Sequence, residues 1–294
     1  MFAILANSFN GGGTLQWDME LQDVFGRKGK QMKEIFVWGY TFPDAYHNAL
    51  VALQERGEES DCADWNCKQK EVGLTMFVQD PVCEPMLSAF MPCGPAELEQ
   101  YRLEMLDGIM DFEVFVGKFP YTYHNRMIEW GAGIDQYRFV CEELKRNPSS
   151  RRAVIDLRYN PYDIISGDPA CLQHIQYFIR DGALDCKVLF RSNDAVKATA
   201  MNAFALIMLQ KRLADELGVK VGTYTHRANS FHAYERDFKT LEYAVRRIKM
   251  KDEPKPAICY KHGWDELMEE AKPEIRKKIE ELYRKEIGQT WQPY

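Results

Sequence analysis

Two short runs of alternating apolar and polar residues flank a two-residue turn, and this feature constrains the fold more than any other. The runs are His174–Arg180 and Leu184–Phe190, and Asp181-Gly182 separates them. Alternation with a period of two is typical of strands that bury one face. An Asp-Gly pair accepts the left-handed backbone of a tight turn. The segment therefore predicts an antiparallel β-hairpin.

Patterns with helical spacing surround this hairpin. The longest, Ala200–Leu217, is closed by Gly218, a residue that favours the left-handed end of a helix. Shorter helices are predicted at Asp44–Arg56, Glu84–Met91, the stretch after Pro95, Asp135–Lys145, Glu235–Lys251 and Glu266–Glu286. Further strands are predicted at Glu34–Tyr40, 73–80, Ala153–Tyr159 and Val221–Ala228. This order predicts one α+β domain over residues 1–294, with a divergent N-terminal part at 1–81 and a helical C-terminal part at 241–294.

Composition and charge argue against several classes of protein. The chain of 294 residues is 46% hydrophobic and carries a net charge of −6, which fits neither a disordered protein nor a general nucleic-acid binder. No apolar stretch approaches the ~18 residues of a membrane helix, and no basic segment precedes the short apolar run at the N-terminus. The eight cysteines form no CxxC pair, so we expect reduced thiols, no metal site and a cytoplasmic protein.

Four polar segments carry residue types that are suited to chemistry. NPSSRR ends in Arg151 and Arg152, Cys171 lies just before the hairpin, RSND follows the hairpin, and HAY ends in Tyr234. Adjacent arginines in a strand point to opposite sides, so both would not normally reach one ligand within a single subunit. A lone cysteine is more often a small core residue than a nucleophile. The order and spacing of the four segments decide between these interpretations.

The chain resembles the thymidylate synthases and their relatives, the pyrimidine nucleotide hydroxymethylases. The resemblance lies in the order of five features: NPxSRR, a cysteine before a QY strand, RSxD, an asparagine eight residues later, and HxY. The resemblance covers about residues 82–240. It implies a mixed sheet flanked by helices, with subunits that dimerise through the sheet. It also implies that Cys171 is the nucleophile that attacks C6 of a pyrimidine, and Tyr121, in FPYTYHNR, falls where the family has an active-site tyrosine.

The resemblance further implies which residues bind a pyrimidine nucleoside monophosphate. Arg191 would bind the phosphate with Ser192 beside it, and Arg151 and Arg152 would reach the phosphate held by the partner subunit of a homodimer. Arg27 is a weaker candidate for the phosphate, because a solvated basic turn explains it more simply. The remaining implied contacts are the Asp194 backbone and the Asn202 amide at the base, and His232 and Tyr234 at the sugar 3′-hydroxyl.

The family's acid/base glutamate opens an apolar helix ahead of the active-site tyrosine. Glu84, in VCEPMLSAF, has the apolar context and roughly the right separation from Tyr121. Glu97 is the alternative, although its helix is more polar and it lies closer to Tyr121. Either glutamate could instead be a surface or capping residue.

The expected chemistry explains why these residue types are needed. A thiolate adds to C6, and a neighbouring arginine such as Arg191 would stabilise the thiolate. Addition makes C5 carbanion-like, so that C5 can take a one-carbon unit from 5,10-methylenetetrahydrofolate, the cofactor that the resemblance implies. A glutamate moves the protons. An amide such as Asn202 both donates and accepts, which suits the O4/N3–H edge of uracil, whereas an aspartate would suit cytosine better.

Two features depart from thymidylate synthases. Leu172 stands where thymidylate synthases typically have a histidine, and the phage-type deoxycytidylate hydroxymethylases also lack that histidine. The C-terminal sequence IGQTWQPY does not resemble the short apolar tail that closes over the folate in thymidylate synthases. An active site that admits water would release a hydroxymethyl product. We therefore expect 5-hydroxymethylation of dUMP. The alternatives are methylation of dUMP, hydroxymethylation of dCMP or CMP, and a catalytically inactive protein that binds nucleotide or RNA.

Overall fold

The computed structural model describes residues 32–250, 259–260 and 263–289. The phosphate candidate Arg27 and the end of the C-terminal tail, from residue 290 onward, lie outside the described residues. Within the described part of the chain, no helix is both long enough and apolar enough to cross a membrane.

Within these ranges, eight strands form one mixed sheet and two more form a small antiparallel pair. The strands are β1 (Glu34–Gly39), β2 (Glu58–Cys62), β3 (Cys67–Val78), β4 (Leu87–Ser88), β5 (Val154–Asp156), β6 (Leu172–Arg180), β7 (Ala183–Phe190), β8 (Asn193–Asp194), β9 (Lys220–Tyr234) and β10 (Cys259–Tyr260). The large sheet has the order β1-β3-β9-β7-β6-β5, with β2 paired to β3 and β8 paired to β9. The β1/β3, β7/β9 and β8/β9 pairs are parallel, so the sheet is mixed.

Helices cover one face of this sheet. They are α1 (Phe42–Arg56), α2 (Pro95–Asp107), α3 (Phe112–Phe115), α4 (Tyr123–Ile128), α5 (Trp130–Gly133), α6 (Gln136–Arg146), α7 (Asn160–Asp163), α8 (Thr199–Leu217), α9 (Phe238–Lys249) and α10 (Trp264–Ile287). Helices α1, α8 and α9 pack on the central strands, and α2 lies between α8 and α10. The predicted α+β fold, a mixed sheet flanked by helices, is confirmed.

The predicted hairpin is confirmed as β6 and β7. Asp181 and Gly182 form its turn with φ angles of 50° and 75°, which the Asp-Gly pair permits. The pairing brings Leu172, at the start of β6, opposite Phe190, at the end of β7. The turn therefore sets the register that brings the residue before β6 close to the residue after β7.

The predicted helix at Glu84–Met91 is wrong. This segment instead contains β4, which pairs with β10, and its residues Met86, Leu87 and Ser88 are buried. The Ser88 hydroxyl lies 2.7 Å from His47 Nε2 on α1. Packing against a distant part of the chain outweighs the local helical pattern. The other predicted helices are present with small shifts at their ends, and the strand predicted at Val221–Ala228 extends over the longer β9.

The two faces of the sheet differ in burial. On the face towards the helices, residues such as Met76, Leu184 and Tyr224 are fully buried. On the opposite face, one row of register partners runs from Phe36 in β1 to His174 in β6, and Phe36 is 49% exposed. We call this second surface the open sheet face. It mixes apolar and charged side chains.

Candidate active site

Cys171 lies directly before β6, where the hairpin brings Arg191 beside it. The Arg191 N–H donates to the Cys171 carbonyl at 2.9 Å. The Arg191 guanidinium donates from Nε to the Ala170 carbonyl at 3.1 Å and from Nη2 to the Pro169 carbonyl at 2.7 Å. These bonds hold a positive charge next to the expected nucleophile. They leave Nη1 without a hydrogen-bond partner among the described residues, so Nη1 can bind a ligand.

The surroundings of the Cys171 thiol raise its pKa. Burial has the largest effect and raises the pKa, the Arg191 guanidinium lowers it, and the Asp168 carboxylate raises it again. Arg191 therefore acts in the expected direction, but burial outweighs it. The thiol of the substrate-free protein is mostly protonated at neutral pH.

A cavity of about 300 Å³ has Tyr121 and Tyr123 in its wall, while Cys171 itself is not one of the lining residues. Two tyrosines connect the cavity wall to the nucleophile. The Cys171 N–H donates to the Tyr121 phenol, and the Leu172 N–H donates to Tyr123 Oη at 3.3 Å. Burial raises the pKa of both phenols, so each keeps its proton at neutral pH. The cavity is lined by Tyr101, Glu104, Met105, Met110, Phe119, Pro120, Tyr121, Thr122, Tyr123 and Asp168.

Asn202, in the first turn of α8, contacts a tyrosine of α2. The phenol of Tyr101, on α2, donates a hydrogen bond to Asn202 Oδ1. Burial raises the pKa of Tyr101, so the phenol stays protonated and can donate. Because Oδ1 is held in this way, Nδ2 of Asn202 is oriented to donate to an acceptor on a ligand.

A buried polar network lies behind the RSND turn. Asn193 Oδ1 accepts from Thr199 Oγ1 at 2.7 Å and lies 2.9 Å from His226 Nε2. His226 Nδ1 lies 3.0 Å from Tyr224 Oη. Burial lowers the pKa of His226 to about 3, so its imidazole is neutral. It can then donate from Nε2 to Asn193 and accept at Nδ1 from Tyr224. The network fixes the turn that carries Arg191.

The pairing of β8 with β9 puts Asp194 opposite His232. The Ala195 N–H donates to the His232 carbonyl at 2.7 Å, and Asp194 Oδ1 accepts from the Lys197 N–H at 2.9 Å. Burial lowers the pKa of His232, and the Asp194 carboxylate opposes this effect. The His232 and Tyr234 rings lie 4.8 Å apart. These residues therefore form one group at the end of the sheet.

Arg151 and Arg152 are exposed, and neither guanidinium donates a hydrogen bond to any described residue. The backbone of this pair is anchored. Gln176, on the open sheet face, donates from Nε2 to the Arg151 carbonyl at 3.0 Å. The Arg152 N–H donates to Ser150 Oγ at 3.1 Å. Both guanidinium groups thus lie near the border of the open sheet face.

The two candidate glutamates do not line the cavity. Glu84 is exposed, and it accepts from Trp264 Nε1 at 2.8 Å and from the Met86 N–H at 3.1 Å. Glu97 is also exposed, and it accepts from the Gly94 N–H at 3.1 Å as part of the N-terminal cap of α2. Among the lining residues, the carboxyl groups belong to Glu104 and Asp168.

The site residues expected from the sequence are mostly brought together. Contacts and electrostatic interactions link Tyr121 to Cys171, Cys171 to Arg191, and Arg191 to His232. Ser192 is half-buried between Arg191 and the buried network. Five further residues lie at the site without having been expected from the sequence: Tyr101, Glu104, Tyr123, Asp168 and Asn193.

The sequence contains a partial indication that Tyr101 and Glu104 share one side of a helix. They are three residues apart on α2, so their side chains lie on the same helix face. Tyr101 fits the apolar periodicity of that face, and periodicity alone cannot separate a core tyrosine from one that binds a ligand.

Comparison with known proteins decides the family. The thymidylate synthase family pattern matches residues 96–274, which is more than half of the chain. The chain belongs to the thymidylate synthase family. A relative from Methanocaldococcus jannaschii, named "Putative thymidylate synthase", is 39% identical over 209 residues, which cover 67% of this chain and 90% of the relative.

Two further relatives of this thymidylate synthase family member come from different organisms. The Methanosarcina barkeri protein of the same name is 29% identical over 212 residues, 71% of this chain and 93% of the relative. A thymidylate synthase from Listeria monocytogenes is 29% identical over 172 residues, 56% of this chain and 53% of the relative. Family membership makes the chain a one-carbon transferase enzyme. It also implies a pyrimidine nucleotide substrate and a folate cofactor.

Proposed function

We propose that this enzyme transfers a one-carbon unit to C5 of dUMP through a covalent adduct between Cys171 and C6. The observation that carries the proposal is the position of Cys171, which lies beside the Arg191 guanidinium and next to Tyr121 and Tyr123, two residues that line a cavity of about 300 Å³. Asn202 supports uracil as the base. With Oδ1 held by Tyr101, its Nδ2 meets an acceptor such as O4.

The proposed reaction uses the thiolate of Cys171. The S–C6 bond forms, and the electron pair of the C5=C6 bond moves towards C5 and O4. When bound, the folate would supply the one-carbon unit to C5 as its bonds from nitrogen to that carbon break, and the folate nitrogens would take up the C5 proton and one proton of the water that adds to the carbon. The S–C6 bond breaks as the C5=C6 bond re-forms. Arg191 opposes the effect of burial on the pKa of Cys171, so its charge favours the first step.

The nucleotide phosphate is proposed to bind between two subunits. Arg191 offers Nη1, and Arg151 and Arg152 each present a guanidinium that is exposed and lacks a hydrogen bond to the described chain. Arg151 and Arg152 lie near the open sheet face. If a second copy of the chain packed on that face, the two arginines of one subunit would lie near the phosphate site of the other subunit. A fork of arginines suits the oxygens of a phosphate. Ser192 would contribute its hydroxyl beside Arg191.

The residues of the cavity fit 5,10-methylenetetrahydrofolate as the proposed cofactor. When bound, it supplies a one-carbon unit at the formaldehyde oxidation level. Phe119, Tyr121 and Met110 offer apolar surface to a flat ring, and the Asp168 carboxylate can accept from ring N–H groups. These side chains would hold the ring against the pyrimidine. His232 and Tyr234 would hold the sugar on the other side of Arg191.

The proposed product is 5-hydroxymethyl-dUMP. Leu172 is fully buried in the core, so it contributes no polar group to the cavity where thymidylate synthases typically have a histidine. Phe119, on the cavity wall, is 45% exposed, and Asp168 is exposed as well, so water can enter. Water that reaches the methylene group on C5 gives a hydroxymethyl product. The relatives are named as thymidylate synthases, which favours a methyl product. The mass of the product therefore distinguishes the two reactions.

The test is to incubate the purified protein with methylenetetrahydrofolate and, separately, dUMP, dCMP, UMP or CMP, and to determine the product masses. Gain of a hydroxymethyl group on dUMP, with tetrahydrofolate released, is expected. Gain of a methyl group with dihydrofolate formed would instead show a thymidylate synthase. Modification of dCMP or CMP alone would reassign the base. The absence of any product from folded, dimeric protein would favour the inactive nucleotide- or RNA-binding alternative.

A further inference from the structure

Two cysteines that the proposed reaction does not use face each other across the end of a hairpin. Strands β2 and β3 pair antiparallel, and the register pair beside the turn is Cys62 opposite Cys67. Residues 63–66 form the turn, in which Asn66 has a left-handed backbone with a φ of 48°. Both cysteines are free thiols, and each is half-buried. We call residues 62–67 the hairpin tip.

The type of this register pair sets the separation of the two cysteines. The Lys68 N–H points away from β2, because it donates to Glu235 Oε2 at 3.1 Å. Hydrogen-bonded and non-hydrogen-bonded pairs alternate along an antiparallel ladder, so Cys62 and Cys67 form a hydrogen-bonded pair. The Cα atoms of such a pair are about 5.5 Å apart, which lies within the range that a disulfide spans. The two Cβ atoms must move roughly 1–2 Å closer to be bridged.

The hairpin tip is accessible to small reagents. All four residues of the turn are exposed, and Trp65 is 65% exposed. A small disulfide in solution can therefore reach the thiolate of either cysteine. Once one cysteine has reacted, the other lies directly opposite it and attacks within the same molecule. The arrangement favours a bridge over two separate modifications.

The hairpin tip also contacts the proposed nucleotide site. The rings of Trp65 and Tyr234 are 6.4 Å apart, with 73° between their planes. Burial raises the pKa of Tyr234, Cys62 raises it further, and a hydrogen bond from the Trp65 indole lowers it. Both Cys62 and Trp65 are thus close to the phenol. Tyr234 is the proposed contact to the sugar 3′-hydroxyl.

A bridge at the tip would move Trp65 relative to Tyr234. Trp65 lies between the two cysteines in the sequence, so it follows any change in their separation. Tyr234 is held separately, because β9 pairs with β3 and places it opposite Gln69. Drawing the Cβ atoms of the two cysteines together therefore shifts the indole while the phenol stays on its strand.

We propose that Cys62 and Cys67 are a redox modification site, at which a low-molecular-weight disulfide produces a cross-strand disulfide. This bridge weakens nucleotide binding by shifting Trp65 away from Tyr234. The effect on the nucleotide rests on the proposed function, whereas formation of the bridge does not.

Electrons and protons balance in two exchange steps. The thiolate of one cysteine attacks a sulfur of the small disulfide R–S–S–R, so that a mixed disulfide forms and R–S⁻ leaves. The thiolate of the other cysteine attacks the protein sulfur of this mixed disulfide, the Cys62–Cys67 bond forms, and the second R–S⁻ leaves. The two cysteines lose two protons and two electrons, and the small disulfide is reduced to two thiols.

The first test detects the bridge in the full-length protein. The protein is equilibrated with oxidised and reduced glutathione and digested, without reduction, by a protease that cleaves at Asp64, which lies between the two cysteines. Mass spectrometry should find the Cys62 and Cys67 peptides joined. In Cys67→Ser, Cys62 should instead carry glutathione. Wild-type protein that carries only mixed disulfides, or no disulfide, in oxidising glutathione would overturn the proposal.

Cys83→Ser is the matched control, since Cys83 is another half-buried cysteine that lies outside the hairpin tip. It should form the bridge as the wild type does. Failure to form it in Cys83→Ser would show that the exchange runs through Cys83, which would contradict a site made of Cys62 and Cys67.

The second test compares the Kd of dUMP for the reduced and the bridged protein by calorimetry. Oxidation should raise the Kd about three- to tenfold, the effect of losing one hydrogen bond, in wild type and Cys83→Ser. Cys62→Ser should not respond. Trp65→Phe lacks the indole N–H, so its reduced form should already bind more weakly and oxidation should add less than about twofold. Equal Kd values for reduced and bridged wild type, or a full effect in Trp65→Phe, would overturn the coupling.

Fluorescence separates this proposal from the proposed function. Oxidation should change the part of the tryptophan emission that is missing in Trp65→Phe. A protein that forms the bridge and shows this change, but binds no nucleotide, would contradict the proposed function alone. Bridge formation without any change in Trp65 emission would contradict the shift of the tip.

Discussion

Cys171 reacts only as a thiolate, and its charged neighbours act on that ionisation in opposite directions. Asp168→Asn removes a charge that raises the pKa of Cys171 and leaves the Arg191 charge that lowers it. We expect alkylation of Cys171 by iodoacetamide at pH 7 to become about two- to threefold faster, since more thiolate is present. Mass spectrometry of the labelled Cys171 peptide over time gives the rate.

The control for this experiment is Asp181→Asn. Asp181 occupies the hairpin turn with a φ of 50°, which asparagine also adopts, and it carries the same charge away from the cavity. Its variant should be alkylated at the wild-type rate. An unchanged or slower rate in Asp168→Asn would show that Asp168 does not act on the thiol.

His226 makes stability depend on pH. Its pKa is about 3 in the folded protein, against an ordinary value of 6.5, so only the unfolded chain takes up a proton between these values. The stabilisation is complete above pH 6.5 and is lost as the pH falls towards 3. Near pH 5, this residue should contribute a slope of about 1.4 kcal/mol per pH unit to the free energy of unfolding.

Urea unfolding of wild type and His226→Gln at several pH values between 4.5 and 7.5 measures this contribution. The variant should be less stable at pH 7.5, because it disturbs the contacts with Asn193 and Tyr224. Its stability should change less with pH than that of the wild type. Parallel pH curves for the two proteins would contradict a neutral His226.

Two glutamates of helix α2 have different surroundings: one caps the N-terminus of the helix and the other lines the cavity. Glu97 accepts from the Gly94 N–H and caps the helix, whereas Glu104 faces the cavity near the other end. We expect Glu97→Ala to lower the free energy of unfolding by about 0.5–1 kcal/mol, the usual contribution of one hydrogen bond, with kcat unchanged. Thermal unfolding and turnover on the same sample test both statements. A large loss of kcat would show that Glu97 takes part in the reaction and does more than cap the helix.

At the scale of elements, sequence periodicity predicts what depends on local chemistry. The hairpin followed from Asp181-Gly182 and two alternating runs, and its register placed Arg191 beside Cys171. The segment at Glu84–Met91 could not be predicted in the same way, because its structure depends on pairing with β10, far along the chain. Glu84 was chosen on that mistaken helix. Tyr101 and Glu104 were missed because their role depends on a cavity that several elements form together.

For the whole molecule, the open sheet face and the arginines beside it lead to the proposed dimer. If each site uses its own Cys171 and the partner's arginines, two defective variants should complement each other. We expect a mixture of Cys171→Ala with a variant carrying both Arg151→Ala and Arg152→Ala to regain about a quarter of wild-type activity at low nucleotide concentration. Half of the dimers are then mixed, and each of them has one complete site.

Each variant alone is the control for this mixture, and subunit exchange can be followed by native mass spectrometry. The Arg151/Arg152 variant alone should need much more nucleotide than the wild type while keeping its stability. Mixed dimers that form without any gain in activity would show that the arginines do not act across the interface. They would leave the Cys171 chemistry untouched.

If Cys171 forms an adduct at C6 that activates C5, the hydrogen on C5 should exchange into water. The protein is incubated with methylenetetrahydrofolate and dUMP that is tritiated at C5, and tritium in water is measured for wild type and for Cys171→Ala. We expect release by the wild type and none by Cys171→Ala, although that variant still binds dUMP. Release by Cys171→Ala at the wild-type rate, or none by folded wild type that binds dUMP, would contradict it.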